Sequence, residues 1–274
     1  MDLTSPQTIK ELLKKHGAFA SKGLGQYFLI DKGPLKDAIE AADLRSDDTV
    51  LEIGPGIGTL TYELAQRAKK VVSVEKDAKM VGILKETLAG FKNVEVINGD
   101  ALEAEELGLE KFKVISNLPY YITSPVIRQF LEAKNRPQAM VLMVQKEVAQ
   151  RICAKPPEMS LLAISVQFYA KPEIIKYVPK SCFWPQPKVD GAIIKIIPFT
   201  EEKTALVPLF FKIVRTGFSH PRKQLINNFC TGFGTGRPQT QAWMAKSGIG
   251  SSQRAETLSV GDWILLAKNY TMGQ

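Results

Sequence analysis

Asn117, Leu118, Pro119 and Tyr120 form a short motif that could hold a planar nucleobase. They follow an apolar run, Val-Ile-Ser at 114–116, that is typical of a buried strand. The Asn117 amide and the backbone carbonyl of Leu118 can each accept a hydrogen bond from an exocyclic amino group, and Tyr120 offers a stacking face. An ordinary turn that enters a helix has the same composition. The motif is therefore consistent with either a base-orienting site or a plain turn, and other residues of the chain are needed to distinguish the two.

A glycine-rich loop follows another predicted strand. Residues 49–53 read Thr-Val-Leu-Glu-Ile, residues 54–58 read Gly-Pro-Gly-Ile-Gly, and a helical pattern begins at residue 59. Glycines let the backbone pass close to a ligand, and this order of elements matches the first turn of a doubly wound α/β fold. Pyrophosphate binders use Gly-x-Gly-x-x-Gly instead, so the spacing here favours a ligand without phosphate.

Two acidic residues follow the next predicted strands. Glu75 stands about twenty residues after the glycine loop, where an acid in this fold accepts hydrogen bonds from ribose hydroxyls. Asp100 follows the third strand and could accept a bond from an exocyclic adenine amino group. Considered alone, each acidic residue would more typically be a solvent-exposed loop residue with no role in binding. Because parallel strands present their carboxyl ends at one edge, we expect Gly54, Glu75, Asp100 and Asn117 to line one crevice.

Five motifs, in order along nearly the whole chain, resemble the S-adenosylmethionine-dependent rRNA adenine N6,N6-dimethyltransferases of the KsgA (RsmA) type. The motifs lie at residues 25–29, 52–56, 117–123, 183–190 and 218–223. The resemblance implies a Rossmann-like α/β methyltransferase domain followed by a smaller C-terminal helical domain.

The resemblance also implies a binding site for S-adenosylmethionine. Gln26, Tyr27 and Leu29 would contact the methionine end of the cofactor, and Gly54 and Gly56 would border it. Tyr27 stands where the family usually has Asn, so the contact there is expected to be altered or made by the backbone alone. A second departure is the absence, in residues 155–162, of the Tyr-Gly that usually precedes Leu-Ser-Val.

The remaining implied roles belong to the ribose, the adenine and the target base. Glu75 would hold the ribose, Asp100 the adenine amino group, and Asn117 both cofactor and target base. Phe183 would cover the target base on the face opposite Tyr120. The residues expected to carry catalysis are Asn117, Leu118, Pro119, Tyr120 and Phe183.

The chain is long enough, at 274 residues, for two domains. We place the boundary after a β-branched strand at 192–197, which gives a catalytic domain at 1–199 and a small helical RNA-recognition domain at 200–274. From residue 201 onward there are nine Lys and Arg against four Asp and Glu, so this tail carries +5 of the formal +8. Concentrated positive charge is typical of a polyanion binder, and Arg222 and Lys223 are the expected RNA contacts.

The cysteines, the histidines and the short apolar runs argue against disulfide-bonded, metal-binding and membrane-spanning proteins. Cys153, Cys182 and Cys230 are odd in number and lack metal-ligand spacing, so neither disulfides nor a metal is expected. His16 and His220 lie in basic stretches and are expected at the surface or on RNA. The apolar runs are too short for a membrane span, and no signal peptide is evident, so a cytoplasmic protein is expected. We also expect a monomer.

The expected function is dimethylation of N6 of two adjacent adenines near the 3′ end of small-subunit (16S) rRNA, within a preribosomal particle. Three alternatives stay open: a methylase of large-subunit rRNA, a noncatalytic RNA-binding ribosome assembly factor, and a small-molecule methyltransferase. Intact Gly54, Glu75, Asp100 and Asn117 count against the noncatalytic alternative. The basic tail counts against a small substrate.

Overall fold

A computed structural model describes residues 1–21, 23–200 and 206–270. The chain divides into two compact units. The first contains Met1–Ala149 and Ala170–Pro198, and the second contains Gln150–Tyr169 and the chain from Phe199 onward. The sequence-based boundary at 199/200 divides the chain differently, since it assigned residues 150–169 and Phe199 to the first domain. Residues 201–203 of the predicted linker lie outside the described residues.

The first unit alternates strands and helices. Its helices are α1 (Pro6–Lys15), α2 (Lys32–Ala42), α3 (Thr59–Ala65), α4 (Ala78–Thr87) and α5 (Thr123–Glu132). Its strands are β1 (Phe28–Leu29), β2 (Thr49–Ile53), β3 (Lys70–Glu75), β4 (Val94–Asn98), β5 (Lys113–Asn117), β6 (Ala139–Gln145), β7 (Ala170–Val178), β8 (Phe183–Trp184) and β9 (Gly191–Pro198). A further helix, α6 (Lys146–Ile152), crosses the division between the units.

Seven strands form one sheet in the order β4-β3-β2-β5-β6-β9-β7. The first five run parallel, and β9 joins antiparallel to both β6 and β7. Strand order therefore reverses between β2 and β5, which is the switch point where open α/β sheets bind ligands. The predicted α/β class is confirmed. A separate pair, β1 with β8, aligns Leu29 with Phe183.

Short polar residues begin three helices of this unit. Side-chain oxygens of Ser5, Asp31 and Asp77 accept hydrogen bonds from backbone N–H groups in the first turns of α1, α2 and α4. Such caps satisfy donors that have no partner within the helix. The apolar faces that follow are buried, and one continuous cluster joins α2 and α3 to the central strands through Leu35, Leu64 and similar side chains.

The described part of the second unit is helical. Its helices are α7 (Leu161–Tyr169), α8 (Val207–Gly217), α9 (Leu225–Phe233), α10 (Arg237–Lys246) and α11 (Val260–Lys268). Aromatic side chains fill its core: Phe168 stacks on Phe210 with ring centroids 4.0 Å apart, and Trp263 is fully buried. Gly217 lets this ring approach, because a Cβ there would lie 2.4 Å from Trp263. Nowhere in the described ranges does a helix have the length and hydrophobicity needed to cross a bilayer.

Candidate active site

The strand ends form one cleft in the first unit. Glu75 and Asn117 are the last residues of β3 and β5, and Asp100 lies two residues beyond β4. All eight residues expected to hold a cofactor line this cleft: Gln26, Tyr27, Leu29, Gly54, Gly56, Glu75, Asp100 and Asn117. The structure thus brings together side chains spread over more than ninety residues of sequence, at the switch point of the sheet.

The glycine loop after β2 has a backbone that only glycine adopts readily. Gly54, Gly56 and Gly58 have φ of +67°, +59° and +91°. A Cβ on Gly54 would lie 3.2 Å from the ring of Pro119, and one on Gly56 would lie 3.1 Å from the ring of Phe28. The loop is therefore shaped both by left-handed backbone and by close neighbours, and the N–H groups of Gly54, Gly56 and Gly58 all donate within the protein.

Pro119 also touches a second loop. A Cβ on Gly25, whose φ is +65°, would lie 3.1 Å from the Cβ of Pro119. Pro119 thus sits between Gly25, in the segment that leads into β1, and Gly54, in the loop after β2. Three segments that are far apart in sequence meet at this one proline.

Glu75 is a buried carboxylate held by two backbone donors. Its side chain accepts hydrogen bonds from the N–H of Gly56 at 3.1 Å and the N–H of Asp77 at 2.9 Å, and the residue is 6 % exposed. Burial raises the pKa of Glu75, and these N–H bonds counteract only part of that rise. Each carboxylate oxygen can accept one more hydrogen bond, so two hydroxyl groups of a ligand could still bind to Glu75.

Asn117 lines the cleft, and one end of its side-chain amide is held by a hydrogen bond. Its amide nitrogen donates to the backbone carbonyl of Tyr27 at 3.2 Å, and since a carbonyl can only accept, this contact fixes which end of the amide is which. No described residue donates a hydrogen bond to the amide oxygen. The amide oxygen can therefore accept a hydrogen bond from a ligand, and its binding of an amino hydrogen stays a prediction.

Tyr27 contributes backbone and ring rather than a polar side-chain contact. Its carbonyl holds Asn117, and its ring lies 5.7 Å from the ring of Tyr120, with 32° between their planes. Tyr27, which stands where the family usually has Asn, thus contacts both Asn117 and Tyr120.

The neighbouring motif residues differ in accessibility. Leu118 is buried, and its N–H donates to the Met143 carbonyl of β6 at 3.1 Å, which fixes the motif to the sheet. Tyr120 is half-buried, and its hydroxyl is a buried group with no hydrogen-bond partner among the described residues. Burial raises the pKa of Tyr120 to about 12. The ring of Tyr120, not its hydroxyl, is therefore the part suited to a role.

Phe183 does not line the cleft. It is 2 % exposed and belongs to the core cluster that includes Val178, Cys182 and Ile193. Its strand partner is Leu29, which does line the cleft. Covering a base would require a movement that uncovers the ring.

Two residues that were not predicted from the sequence, Asp77 and Ser116, hold parts of the site in place through hydrogen bonds. Asp77 accepts a hydrogen bond from the Gln26 side chain at 3.0 Å, while the other end of that amide accepts from the N–H of Ser21 at 2.8 Å. The Ser116 hydroxyl accepts from the N–H of Ile53 at 2.9 Å, which ties β5 to the start of the glycine loop. Asp77 could have been found as a helix cap, since an Asp two residues after a strand and before a helical pattern is a typical N-cap.

Glu52 is a third missed residue. It is 1 % exposed, lines the cleft, and accepts a hydrogen bond from the Ser73 hydroxyl at 3.1 Å. Burial raises its pKa from the ordinary value of 4.5 to about 7. Over that interval the folded protein keeps a proton that the unfolded chain has released.

Stability should consequently fall as pH rises from about 4.5 to about 7, by about 3 kcal/mol from this group at about 1.4 kcal/mol per pH unit. Glu52→Gln cannot titrate, so the variant should lose this part of the dependence. Urea unfolding at pH 5 and pH 8 measures the difference, with the exposed Glu110→Gln as control. An equal change in wild type and Glu52→Gln would contradict the expectation.

The second unit carries the two basic residues expected to bind RNA. Arg222 and Lys223 lie in the turn between α8 and α9 and are exposed. Buried Asn228 holds this turn by donating to the carbonyls of Gly217 at 2.6 Å and His220 at 3.2 Å. Neither cation forms an ion pair with a residue in the described ranges, so both charges are available to a ligand.

Known proteins resemble this chain over nearly its full length. The family "Ribosomal RNA adenine dimethylase" matches residues 19–272. "Ribosomal RNA small subunit methyltransferase A" of Dehalococcoides mccartyi (strain CBDB1) is 46% identical over 267 residues, covering 95% of this chain and 92% of that protein. The protein of the same name from Alkaliphilus metalliredigens (strain QYMF) is 41% identical and covers 99% of both.

Two solved structures are also similar. The 23S rRNA methyltransferase ErmE has a TM-score of 0.74 at 30% identity and covers 90% of this chain and 100% of its own. A dimethyladenosine transferase from Plasmodium falciparum has a TM-score of 0.73 at 30% identity, covering 87% of this chain and 95% of its own.

Proposed function

Because the chain belongs to the ribosomal RNA adenine dimethylase family, we propose that it uses S-adenosylmethionine to dimethylate adenine N6 in small-subunit rRNA. One observation carries the proposal. Asn117, whose amide oxygen accepts no hydrogen bond from a described residue, lines one cleft together with Glu75 and Asp100. An amino-group acceptor beside a nucleoside-binding pair of acids suits methyl transfer to an adenine.

The residues of the cleft fit S-adenosylmethionine. The buried Glu75 retains acceptor capacity for ribose hydroxyls, and Asp100 can accept from the adenine amino group. Gly54 and Gly56 leave a cradle that side chains would fill. The Gly-x-Gly-x-Gly spacing of the loop differs from the Gly-x-Gly-x-x-Gly of pyrophosphate binders, which agrees with a cofactor that has no phosphate. Gln26, Tyr27 and Leu29 form the wall assigned to the methionine end.

When bound, S-adenosylmethionine supplies an electrophilic methyl group on a sulfonium. The task of the protein is then to hold the adenine amino group in line, and positioning of this kind supplies much of the rate. The Asn117 amide oxygen and the Leu118 carbonyl accept from the two amino hydrogens and favour a pyramidal nitrogen as positive charge develops. Tyr120 holds the unstacked base by its ring. The methylated nitrogen is acidic and loses its proton to solvent.

Small-subunit rRNA is the favoured target. The relatives that share 40–46% identity with this chain are named for the small subunit, whereas ErmE, named for 23S rRNA, shares 30%. We place the reaction at two adjacent adenines near the 3′ end of 16S rRNA in a preribosomal particle. A noncatalytic assembly factor is less well supported, since it has no need of an oriented Asn117.

The function is tested by incubating the protein with methyl-labelled S-adenosylmethionine and small subunits that lack these methyl groups, and then mapping the modified nucleotides. Two neighbouring N6,N6-dimethyladenines near the 3′ end are expected. Modification of large-subunit rRNA instead would favour the alternative target. Binding of the subunit without methyl transfer would favour an assembly factor.

We assign RNA recognition to the basic second unit. Replacing Arg222 and Lys223 with Ala should weaken rRNA binding and lower the slope of log affinity against log salt by about one per phosphate contact. Affinity for S-adenosylhomocysteine should not change, because both residues lie outside the cleft.

Filter binding of a 16S rRNA fragment at several salt concentrations measures the slope. Lys246→Ala with Lys268→Ala is the matched control, since it removes the same charge from exposed positions of α10 and α11. If both double variants change the slope equally, net charge matters and the turn has no special role.

A further inference from the structure

An ion pair joins two strand ends inside the cleft. The Nζ of Lys76, directly after β3, lies 2.8 Å from Oδ2 of Asp100, beyond β4, and both residues line the cleft. Asp100 is the residue assigned above to the adenine amino group. The role of Lys76 is not explained by that assignment.

Backbone contacts fix the places of both partners. Asn98 donates its side-chain amide to the carbonyls of Glu75 at 2.8 Å and Lys76 at 3.3 Å, and the N–H of Gly99 donates to the Glu75 carbonyl at 3.0 Å. The ends of β3 and β4 are thus tied together just before Lys76 and Asp100. The backbone positions from which the two charged side chains extend are therefore set by the sheet.

The two carboxylate oxygens of Asp100 accept hydrogen bonds from different donors. Oδ1 accepts from the N–H of Leu102 at 3.0 Å and caps the 3₁₀ turn Ala101–Leu107, while Oδ2 accepts from Lys76. The N–H of Leu102, and after it Lys76, lower the pKa of Asp100. An ionised carboxylate oxygen accepts more than one bond, so Oδ2 can still take a ligand donor.

The ion pair is poorly placed to stabilise the fold. The side chains of Lys76 and Asp100 are 61% and 34% exposed, and exposed pairs contribute little to folding. A second pair, Lys70 with Glu95, joins the opposite ends of the same strands at the same 2.8 Å. Only the pair at the cleft can affect a ligand.

We propose that Lys76 is a positioning residue that holds Asp100 as an oriented anionic acceptor and thereby makes the cleft select a 6-aminopurine over a 6-oxopurine. The selection follows from charge. An amino group donates to the carboxylate, whereas a 6-oxo group turns an oxygen towards it and is repelled. This inference rests on the proposed function, because it takes S-adenosylmethionine to be the ligand of the cleft.

Calorimetry with S-adenosylhomocysteine and its hypoxanthine counterpart, S-inosylhomocysteine, tests the inference without any methyl transfer. The ratio of the two affinities is the readout. Lys76→Met should lower the ratio up to about fivefold, the range of an exposed ion pair, and Lys76→Arg should restore it. Added salt should lower the wild-type ratio but not that of Lys76→Met.

Lys70→Met is the matched control and should keep the wild-type ratio. A merely structural effect of Lys76→Met would weaken both ligands equally and leave the ratio unchanged, which would overturn the inference. Tighter binding of S-adenosylhomocysteine by Lys76→Met would also overturn it, because the pair would then compete with the ligand. If the wild-type protein bound no S-adenosylhomocysteine, the proposed function would fail, and this inference with it.

Discussion

Asn117→Ala should slow methyl transfer to undermethylated small subunits on the order of 10²-fold, the scale of one preorganised hydrogen-bonding group at a reacting centre. The amide nitrogen donates to the Tyr27 carbonyl, so the side chain of Asn117 is held in one orientation before any base arrives. That acceptor is worth most when charge develops on the attacked nitrogen. The loss should therefore appear in single-turnover rates more than in affinity for the subunit.

Tyr120 provides the comparison that separates this effect from general damage to the motif. Tyr120→Ala removes a stacking surface worth roughly 1–3 kcal/mol per base, so its rate should fall between those of wild type and Asn117→Ala. Tyr120→Phe should keep most activity, because the hydroxyl has no partner among the described residues and stacking uses the ring. A rate for Tyr120→Phe as low as that of Tyr120→Ala would contradict the base-holding role, as would a near-normal rate for Asn117→Ala.

Glu75→Ala should weaken binding of S-adenosylhomocysteine by about 1.5–3 kcal/mol, which is a loss of roughly ten- to a hundredfold in affinity. The variant removes a charged acceptor for the ribose and also releases the N–H groups of Gly56 and Asp77 from their carboxylate. Glu75→Gln keeps one acceptor and should fall between wild type and Glu75→Ala. Affinity for rRNA should hardly change.

Calorimetry measures this series, with the exposed Glu95→Ala as control. Because burial raises the pKa of Glu75, acidification should protonate it sooner than an exposed glutamate and weaken binding of the cofactor product as pH falls. Unchanged affinity in Glu75→Ala would remove this residue from the site.

The residues at the strand ends were predictable because their signals are local. A strand followed by an acid or an amide is visible within a few residues, and Glu75 and Asn117 indeed end β3 and β5. The α/β class followed from the same alternation. A shared edge of the sheet then brings such residues together without any knowledge of packing.

Contacts between distant segments were not predictable in the same way. Gln26 meets Asp77 across 51 residues, and Asn117 meets Tyr27 across 90. No local pattern encodes such pairs, since each depends on how the segment before β1 folds onto the sheet. The burial of Phe183 has the same origin, because its aromatic motif looks equally suited to a core and to a base-binding face.

The position of Pro119 between Gly25 and Gly54 limits how this protein can be recombined with its relatives. A Cβ on either glycine would lie only 3.1–3.2 Å from the proline, so one substitution alters which residues the other two positions tolerate. A graft whose target-base segment lacks the proline would break this fit. An exchange of any one segment therefore has to keep the proline or the glycine that it contributes, although the three residues lie in separate stretches of the gene.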